Sequence, residues 1–449
     1  MGVRRPASAV RGSGTVTAAE TGRAARFELA RVGAGSGATL AAFTLIGILI
    51  NVLLARLLAP EGLGIYASAF ALANVLSVLA SAGLPTTLAR MLPAYASQRD
   101  SLHARGCLIW AFAHAGAVSL ALAGLVYLIA PLLGQAEQRS VYLLAALLVP
   151  LMALARLQQG ALQGMERIVS AQIPDRLIRP AAFALLLLLW LAFAGGAGRT
   201  AAGAMGWQLV AAGASVLVGI ALMARYGADW ITPAGARFRL HAWYRCGALI
   251  AAANLAQVVS GQAGLVILPL FEEPAPIGYY RVALVMASFV GYPAMMVVHP
   301  VGALIARLHA EDKQADLDRM VVTSARLAWV GSIVAAVTLA VFGQLLLTAL
   351  FGRDFADAYP LLIILVIGEL CTVAATWRIL VLQMTGRERA AADSLVIGAG
   401  IYLILTFALA AAYGAVGAVI ADTASRLVVT LLLIFRFIPC RIRRGWGQG

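Results

Sequence analysis

Charged residues are scarce in this sequence, and lysine is almost absent. Only 12% of the 449 residues are Asp, Glu, Lys or Arg, 62% are hydrophobic, and the mean hydropathy is +0.88. Soluble globular proteins carry about 25% charged residues, so a soluble enzyme is excluded. The single lysine, Lys313, follows Asp312, so the chain lacks the Gly-x-x-x-x-Gly-Lys-Ser/Thr loop that holds nucleotide phosphates. An ATP-driven motor of that type is therefore excluded as well.

Cysteines and acidic residues are also few. The four cysteines, Cys107, Cys246, Cys371 and Cys440, stand singly in apolar surroundings without a Cys-x-x-Cys pair. We therefore expect no disulfide, no metal site and no bound cofactor. The 20 acidic residues are outnumbered by 34 basic ones, which gives a net charge of +14. No nucleic-acid partner is expected.

Long uncharged stretches make up most of the chain. A helix needs about 20 apolar residues to span a bilayer, and a charge at its centre costs roughly 2.5–3.5 kcal/mol, so each such stretch predicts a spanning helix. Twelve spans are expected, at about 35–55, 65–84, 106–132, 139–162, 180–197, 202–224, 246–271, 282–306, 327–350, 358–383 and, as two helices turning at Tyr413 and Gly414, 395–435. The predicted fold class is an all-α polytopic membrane protein.

Basic residues alternate along the connecting segments. They concentrate in the N-terminal tail, in every second loop and at the C-terminal end, which by the positive-inside rule predicts that both termini are cytoplasmic. The expected organisation is a disordered basic tail (1–34), a six-helix bundle (35–224), a cytoplasmic linker (225–243), a second six-helix bundle (244–437) and a basic cytoplasmic tail (438–449). Residues 1–34 also have the composition of an organellar transit peptide, which we consider the weaker interpretation.

The two halves of the sequence repeat one another. Three segments match in the same order: Arg156 to Arg167 with Arg378 to Arg389, Gly64 to Tyr66 with Gly278 to Tyr280, and Gly203 to Gly206 with Gly414 to Gly417. Because each repeat holds an even number of predicted spans, both enter the membrane in the same direction. They are then related by a pseudo-twofold axis along the membrane normal, and a substrate path is expected between the two bundles.

Three motifs resemble segments of bacterial polysaccharide-biosynthesis membrane proteins. They are LARLLAPEGLGIY at 54–66, continuing to Gly83, Leu84 and Arg90, LFGRDFADAYP at 350–360, and YGAVGA at 413–418. Over about residues 35–437 the chain is similar to Wzx-type flippases of the multidrug/oligosaccharidyl-lipid/polysaccharide exporter superfamily. The resemblance implies a bacterial inner-membrane protein that moves undecaprenyl-diphosphate-linked oligosaccharide repeat units to the periplasmic leaflet by alternating access, for O-antigen, capsule or exopolysaccharide assembly. Its partners would be the lipid-linked substrate, the bilayer, and the polymerase and glycosyltransferases of the pathway.

A flippase breaks no covalent bond, so no catalytic residue is expected. Its side chains must lower the cost of moving a diphosphate and sugars through hydrocarbon; arginine pairs with phosphate oxygens bidentately, and amides suit sugar hydroxyls. The candidate substrate-pathway residues are cations or amides inside spans or at their ends: Arg56, Arg90, Arg156, Arg281, Arg378, Asn51, Asn254 and Gln257. Snorkelling, pairing within a bundle and interhelical hydrogen bonds explain each of them, taken singly, about equally well or better.

Two carboxylates lie inside predicted spans and are candidates for ion coupling. Glu369 sits near the middle of the tenth span with no partner in its own helix, so it is a candidate for binding a coupling proton or sodium ion. Asp422 and Arg426 are spaced i, i+4, which favours mutual neutralisation. A proton- or sodium-coupled drug or metabolite antiporter of the same superfamily is therefore the alternative function. A glycosyltransferase or polymerase is disfavoured, because no external segment is long enough for a catalytic loop.

Overall fold

The structure, a computed structural model, describes residues 18–132, 136–193, 199–231, 235–298, 301, 314–384 and 388–445, and contains no β-strand among them. Within this part of the chain, nine helices are long and apolar enough to cross a membrane, or ten if the bent pair Pro274–Val290 and Tyr292–Val298 is one span. The chain is therefore an all-α, multi-pass membrane protein. Residues 45–449 form one compact unit and residues 1–44 another, whose described part is helical.

The helices follow one another with short connections. In chain order they are α1 Ala18–Ser81, α2 Leu84–Ser97, α3 Ser101–Ile129, α4 Ala136–Gly164, α5 Ile168–Gln172, α6 Arg179–Phe193, α7 Ala201–Ile231, α8 Leu240–Ile267, α9 Pro274–Ala287, α10 Tyr292–Val298, α11 Gln314–Leu350, α12 Tyr359–Met384 and α13 Glu388–Gly445. A π-helical segment, Ile173–Ile178, joins α5 to α6. Below, the first half means residues 45–231 and the second half residues 240–445.

Several predicted boundaries differ from the observed helices. The tail expected to be disordered, 1–34, is helical from Ala18 onward, since this stretch is rich in alanine, has no proline and so favours a helix; residues 1–17 lie outside the described part. The expected linker, 225–243, is largely helical, because α7 continues to Ile231 and α8 begins at Leu240. Likewise α13 runs through the expected C-terminal tail as far as Gly445.

Two of the long helices are sharply broken. In α1 the break is at Ala59 (φ 54°, ψ 179°), which directly precedes Pro60; a residue before proline is disfavoured in the α conformation. In α13 the break is at Gly414 (φ 57°), where the sequence predicts a turn. Gly417 lies so close to Leu409 that a Cβ on Gly417 would overlap the Leu409 carbonyl. In a straight helix these two residues, eight positions apart, would be separated by about 12 Å. The chain therefore folds back on itself at Gly414.

Helices pack mainly against others of their own half. In the first half α4 is central and contacts α2, α3 and α7; in the second half α13 contacts α8 and α12. Glycines allow the closest approaches, since a Cβ on Gly160 or Gly164 of α4 would overlap the backbone of Pro85 or Leu88 in α2. Tight small-residue contacts of this kind are how membrane helices associate without a hydrophobic driving force.

The two halves touch each other at both ends of the unit. At one end, which we call the hairpin end, a Cβ on Gly64 would overlap the carbonyl of Pro274, and a Cβ on Gly278 would overlap that of Pro60. At the other, which we call the linker end, the Trp243 indole nitrogen donates a hydrogen bond of 2.8 Å to the Tyr95 hydroxyl. The two halves are therefore in direct contact at both ends of the unit.

Candidate functional site

One face of α8 turns from a contact surface into an open polar surface. Near the linker end this face meets the first half, where Gly247 and Ala251 lie against Gly83. Asn254 and Gln257, three and six residues beyond Ala251 on α8, are exposed and have no hydrogen-bond partner among the described residues. These two predicted residues therefore present their amides beyond the contact between α8 and the first half.

Arg281 and Asn51 are brought together from opposite halves. The Arg281 guanidinium in α9 donates a hydrogen bond of 3.1 Å to Oδ1 of Asn51 in α1, and the Asn51 amide nitrogen donates 2.7 Å to the carbonyl of Gly47. Both side chains are half-buried. Arg281 therefore contacts a polar partner across the interface between the halves, and no carboxylate neutralises it there within the described residues.

Arg156 is held by neutral groups inside the first half. Its Nη2 donates a hydrogen bond of 2.7 Å to Oδ1 of Asn74, and its Nε donates one of 3.4 Å to the hydroxyl of Ser77. Both partners belong to α1, so these hydrogen bonds also tie α4 to α1. The guanidinium thus keeps its full charge while its orientation is fixed.

The other predicted cations lie in three different settings. Arg378, the sequence equivalent of Arg156, donates 2.6 Å to the carbonyl of Ala374 in its own helix. Arg56 is exposed and donates 2.8 and 2.7 Å to the carbonyls of Leu350 and Ala349, the last residues of α11. It therefore joins the first half to the C-terminus of a second-half helix, where cations are favourable. Arg90 in α2 is exposed, with no partner among the described residues.

The sequence predicts that Glu369 is isolated, but it belongs to an ion cluster in which Asp422 is buried and Glu369 and Arg426 are half-buried. Nη1 of Arg426 lies 2.6 Å from Oε1 of Glu369, and its Nε lies 2.9 Å from Oδ2 of Asp422. The expected i, i+4 pair of Asp422 and Arg426 is confirmed, and Thr372 accepts a further bond of 2.9 Å from Nη1. Asp422 is only 2% exposed. Two carboxylates therefore share one guanidinium in the second half.

An ion pair in the first half was missed by sequence reasoning. Nε of Arg179 lies 3.0 Å from Oδ1 of Asp175, and both side chains are about a quarter exposed or less. Their i, i+4 spacing was visible in the sequence, but the segment was assigned to a loop before the fifth span. Because α5 begins at Ile168, the pair instead lies on a helical segment that packs against α4.

A second titratable pair lies at the linker end, where Asp100 directly precedes α3 and His103 lies in its first turn. The ring Nδ1 of His103 donates 2.6 Å to Oδ2 of Asp100, and the His103 backbone nitrogen donates 3.2 Å to Oδ1. These hydrogen bonds, the ring contact first, lower the pKa of the Asp100 carboxyl. Asp100 thereby caps the N-terminus of α3.

Metal-binding and disulfide clusters are not found in the part of the chain that the structure describes. No group of three or more His, Cys, Asp or Glu side chains there is arranged to hold a metal ion. Cys107, Cys246 and Cys371 are free thiols. The side chain of Cys440 lies outside the described residues, so its predicted state stays a prediction.

Comparison with known proteins gives both a family and a fold. The sequence matches the family described as "Polysaccharide biosynthesis protein" over residues 33–306. A curated relative, "Stage V sporulation protein B" of Bacillus subtilis (strain 168), is 25% identical over 169 residues, covering 36% of this chain and 32% of that protein. The match thus spans about a third of the length of that relative.

Solved structures with the same fold are membrane transporters. A multidrug resistance MATE family transporter of the MOP superfamily in an inward-facing conformation superposes with a TM-score of 0.71 at 13% identity, covering 90% of this chain and 96% of that one. The lipid II flippase MurJ in an inward closed conformation gives 0.66 at 14% identity, covering 89% and 86%. A MOP superfamily transporter from Pyrococcus furiosus gives 0.59 at 12% identity, covering 92% and 95%. At these identities the likeness establishes the fold alone.

Proposed function

The chain belongs to the polysaccharide biosynthesis protein family, and from that premise we propose that it is a flippase for lipid-linked oligosaccharide. It moves undecaprenyl-diphosphate-linked repeat units from the cytoplasmic to the periplasmic leaflet by alternating access, for O-antigen, capsule or exopolysaccharide assembly. The pathway's polymerase and glycosyltransferases are its proposed protein partners. One structural neighbour is a lipid II flippase, which supports a lipid-linked cargo.

The observation that carries this proposal is the polar seam between the halves, formed by Asn51, Arg281, Asn254 and Gln257. Arg281 and Asn51 contact each other across the halves, while Asn254 and Gln257 are exposed on α8 without partners among the described residues; we place all four on the same path. Charged side chains inside membrane-spanning helices are costly and by default mark a substrate or ion path. Amides and guanidinium groups suit sugar hydroxyls and phosphate oxygens, which is the chemistry of the proposed cargo.

Alternating access needs two similar bundles, and we propose twelve spans in two six-helix repeats. Support comes from the breaks at Ala59 and Gly414, each of which divides one long helix into two candidate spans. Further support comes from the hairpin end, where Gly64 meets Pro274 and Gly278 meets Pro60. Because Gly64 and Gly278 are sequence equivalents, this contact is reciprocal, as expected across a twofold axis.

The proposed orientation places both termini in the cytoplasm of a bacterial inner membrane. The linker end carries Arg90, Arg99, Arg167, Arg239 and other basic residues, and the positive-inside rule assigns such an end to the cytoplasm. In this orientation the Tyr95–Trp243 contact closes the cytoplasmic side, and the Gly64–Pro274 contact closes the periplasmic side. Release of one contact at a time would open the path to one leaflet.

Ion coupling is a further part of the proposal. Glu369 and Asp422 compete for Arg426, so the cluster carries one negative charge in excess when all three groups are ionised. A proton or a sodium ion arriving at Glu369 would balance that charge and release Arg426 to Asp422 alone. In reconstituted vesicles, Glu369→Gln is expected to abolish the response to an ion gradient while leaving gradient-free exchange. A gradient response that survives the substitution would remove Glu369 from the coupling site.

The flippase proposal is tested in cells depleted of this protein. Lipids are extracted and undecaprenyl-diphosphate-linked oligosaccharide is measured by mass spectrometry before and after restoring the wild type, Arg281→Gln or Arg353→Gln. Arg353 is an exposed arginine at the hairpin end and serves as the matched control. We expect accumulation on the cytoplasmic leaflet that the wild type and Arg353→Gln relieve and Arg281→Gln does not.

The same experiment separates the flippase from the antiporter. Unchanged lipid pools together with altered sensitivity to small cationic toxins would contradict lipid flipping and favour a drug or metabolite antiporter. The antiporter is compatible with the fold, because a MATE family transporter has a similar structure. Since the fold does not decide between the two activities, function has to be argued from the site.

A further inference from the structure

A small cavity lies between the two halves at the hairpin end. Its polar lining comes from Ser68, Gln138 and Tyr142 of the first half and from Glu272 of the second, and the rest is isoleucine and proline. Pro274, whose carbonyl meets Gly64, is one of the lining residues, so the cavity adjoins the contact that joins the halves at this end. A ligand in it would touch both halves.

Glu272 brings a carboxylate without a paired cation to this cavity. Its side chain is half-buried, and no basic side chain forms an ion pair with it among the described residues. Oε1 accepts a hydrogen bond of 3.3 Å from the backbone nitrogen of Ala415, at the start of the helical segment that follows the break in α13. A helix N-terminus carries only about half a positive charge, and a carboxylate has about four acceptor positions. Both charge and acceptor positions therefore remain available at Glu272.

The two hydroxyl groups of the cavity have already used their protons. Tyr142 donates a hydrogen bond of 3.1 Å to the hydroxyl of Ser68, and Ser68 donates one of 3.0 Å to the carbonyl of Ile65. Because a hydroxyl has a single proton, the Tyr142 oxygen can only accept a further contact. Gln138 has no hydrogen-bond partner among the described residues and adds an amide oxygen. The cavity thus combines oxygen acceptors with a negative charge, which favours a cation over an anion.

We propose that this cavity is a binding site for a monovalent metal cation, Na⁺ or K⁺, held by Glu272 with the oxygens of Tyr142 and Gln138. One carboxylate balances one positive charge, whereas Ca²⁺ takes about 6–8 oxygen ligands and usually several carboxylates. The site is separate from the cluster of Glu369, Asp422 and Arg426, which lies within the second half. Building on the proposed function, the bound ion holds the hairpin end closed, and the periplasmic side opens after the ion leaves.

The competing explanation is that Glu272 only caps a helix. Glu137 in the first half makes the same kind of contact, since its Oε1 accepts a hydrogen bond of 3.0 Å from the backbone nitrogen of Ala201 at the start of α7. Glu137 is exposed and does not line the cavity. Capping alone accounts for the bond to Ala415 but predicts no response to alkali ions. Glu137 is therefore the matched control.

The test measures equilibrium binding of radioactive sodium to the full-length protein purified in detergent, with choline chloride keeping the ionic strength constant. The wild type is compared with a triple variant that removes the other candidate cation site: Glu369→Gln, Asp422→Asn and Arg426→Met. We expect saturable Na⁺ binding to both proteins. In the triple variant, adding Glu272→Gln is expected to weaken binding at least about tenfold, through loss of the carboxylate charge. Adding Glu137→Gln should leave binding unchanged.

A folding defect does not account for the expected loss. The amide oxygen of Glu272→Gln can still accept the hydrogen bond from Ala415, so the helix cap is kept while the charge is removed. Tyr142→Phe, which deletes one oxygen of the site, should weaken Na⁺ binding severalfold without changing the charge. Competition between Na⁺ and K⁺ then identifies the ion that the site prefers.

Hydrogen exchange reports whether the ion holds the hairpin end closed. The amides of residues 62–66 and 274–278 lie at the contact between the halves, so saturating Na⁺ or K⁺ is expected to slow their exchange in the wild type and not in Glu272→Gln. Unchanged exchange in the wild type would overturn the closing role.

Four results would each overturn the site. They are absence of saturable Na⁺ or K⁺ binding, equal binding with and without Glu272→Gln, an equal loss from Glu137→Gln, and loss of all binding in the triple variant. The last result would assign the ion to the second-half cluster.

The site and the proposed function can fail separately. Lipid-linked oligosaccharide accumulation in depleted cells reports on flipping, whereas sodium binding reports on the site. Binding that depends on Glu272, in a protein whose depletion leaves lipid pools unchanged, would uphold the site and reject the flippase. Accumulation that the wild type relieves, without any Na⁺ or K⁺ binding, would do the reverse.

Discussion

The charged side chains inside the two halves are compensated in different ways. In the second half, Arg426 faces two carboxylates, Glu369 and Asp422, at 2.6 and 2.9 Å. In the first half, Asp175 is paired with Arg179, and Arg156 is held by the neutral Asn74. Counting these described groups alone, the second-half cluster carries one negative charge in excess and the first-half group one positive charge in excess, which suits the cluster to a cation and the first-half group to an anion.

The difference extends to sequence-equivalent positions. Arg156 is held by an amide and a hydroxyl from another span, while its equivalent Arg378 reaches only the carbonyl of Ala374 in its own helix. By the spacing of the Gly64–Gly278 match, Ser77 in the first half corresponds to Gly291 in the second. A Cβ added at Gly291 would lie 3.4 Å from the Glu369 carboxylate. In the proposed repeat, opposite charges therefore stand at corresponding helix contacts.

The largest expected effect comes from breaking the second-half cluster. Arg426→Met leaves Glu369 and Asp422 without their cation, and removing one partner of a buried pair costs about 3–5 kcal/mol. The measurement is the unfolding temperature in detergent, with the exposed Arg90→Met as control. Replacing all three groups, as Glu369→Gln, Asp422→Asn and Arg426→Met together, should recover most of the loss. Equal unfolding temperatures for Arg426→Met and Arg90→Met would contradict the cluster.

The next largest effect concerns the contact at the hairpin end, to which each half contributes one glycine. Gly64→Ala and Gly278→Ala each place a methyl group against a backbone carbonyl of the other half, and such overpacking costs about 1–3 kcal/mol. Because the contact is reciprocal, we expect losses of similar size from the two variants, measured as unfolding temperatures. Gly213→Ala is the control, since nothing lies within 4 Å of a Cβ there. A loss in only one of the two variants would argue against the proposed repeat.

A smaller effect should distinguish the equivalent arginines. Arg156→Gln strands the Asn74 carbonyl oxygen inside the first half, and we expect a loss of about 1–2 kcal/mol from the unsatisfied group. Arg378→Gln gives up only a bond within its own helix, for which we expect less than about 1 kcal/mol. Unfolding temperatures of the two variants measured side by side provide the check. A larger loss from Arg378→Gln would reverse the comparison.

The smallest effect is a pH dependence confined to the linker end of the first half. The pKa of Asp100 is lowered from its ordinary value of 3.8 by His103, so its capping contribution is complete above that value. It is lost only as the pH falls through the lower, folded-state pKa. The protection factors of the amides in the first turn of α3, corrected for the intrinsic exchange rate at each pH, should therefore be unchanged from neutral pH down to about pH 5 and fall in stronger acid. Protection factors that fall between pH 7 and 5 in the wild type would contradict this assignment.

The all-α, multi-pass class could be predicted from the sequence because hydropathy alone determines it. The turn at Gly414 was also visible, since glycine adopts the positive φ required there. Boundaries were less predictable: α1 and α7 continue past the apolar stretches through segments that contain charged residues and still favour a helix, so the apolar stretch underestimates the helix length.

Contacts between distant segments could not be predicted from spacing. The pairing of Glu369 with Arg426 joins residues far apart in sequence, so Glu369 was expected to stand alone. Asp175 and Arg179 showed the correct i, i+4 spacing, but the π-helical turn that brings them toward α4 has no clear sequence signature. The reciprocal contacts of Gly64 and Gly278 were anticipated only as a sequence match.

The central claim is that the first-half cations, and not the second-half cluster, handle the phosphate of the cargo. The most direct measurement is translocation of a lipid diphosphate in proteoliposomes without an ion gradient. We expect Arg156→Gln with Arg179→Gln to slow translocation at least about tenfold, in line with the loss of charge-assisted bonds. The triple variant Glu369→Gln, Asp422→Asn and Arg426→Met is expected to translocate at a rate close to that of the wild type. Slow translocation by the triple variant, with the double variant unaffected, would contradict the claim.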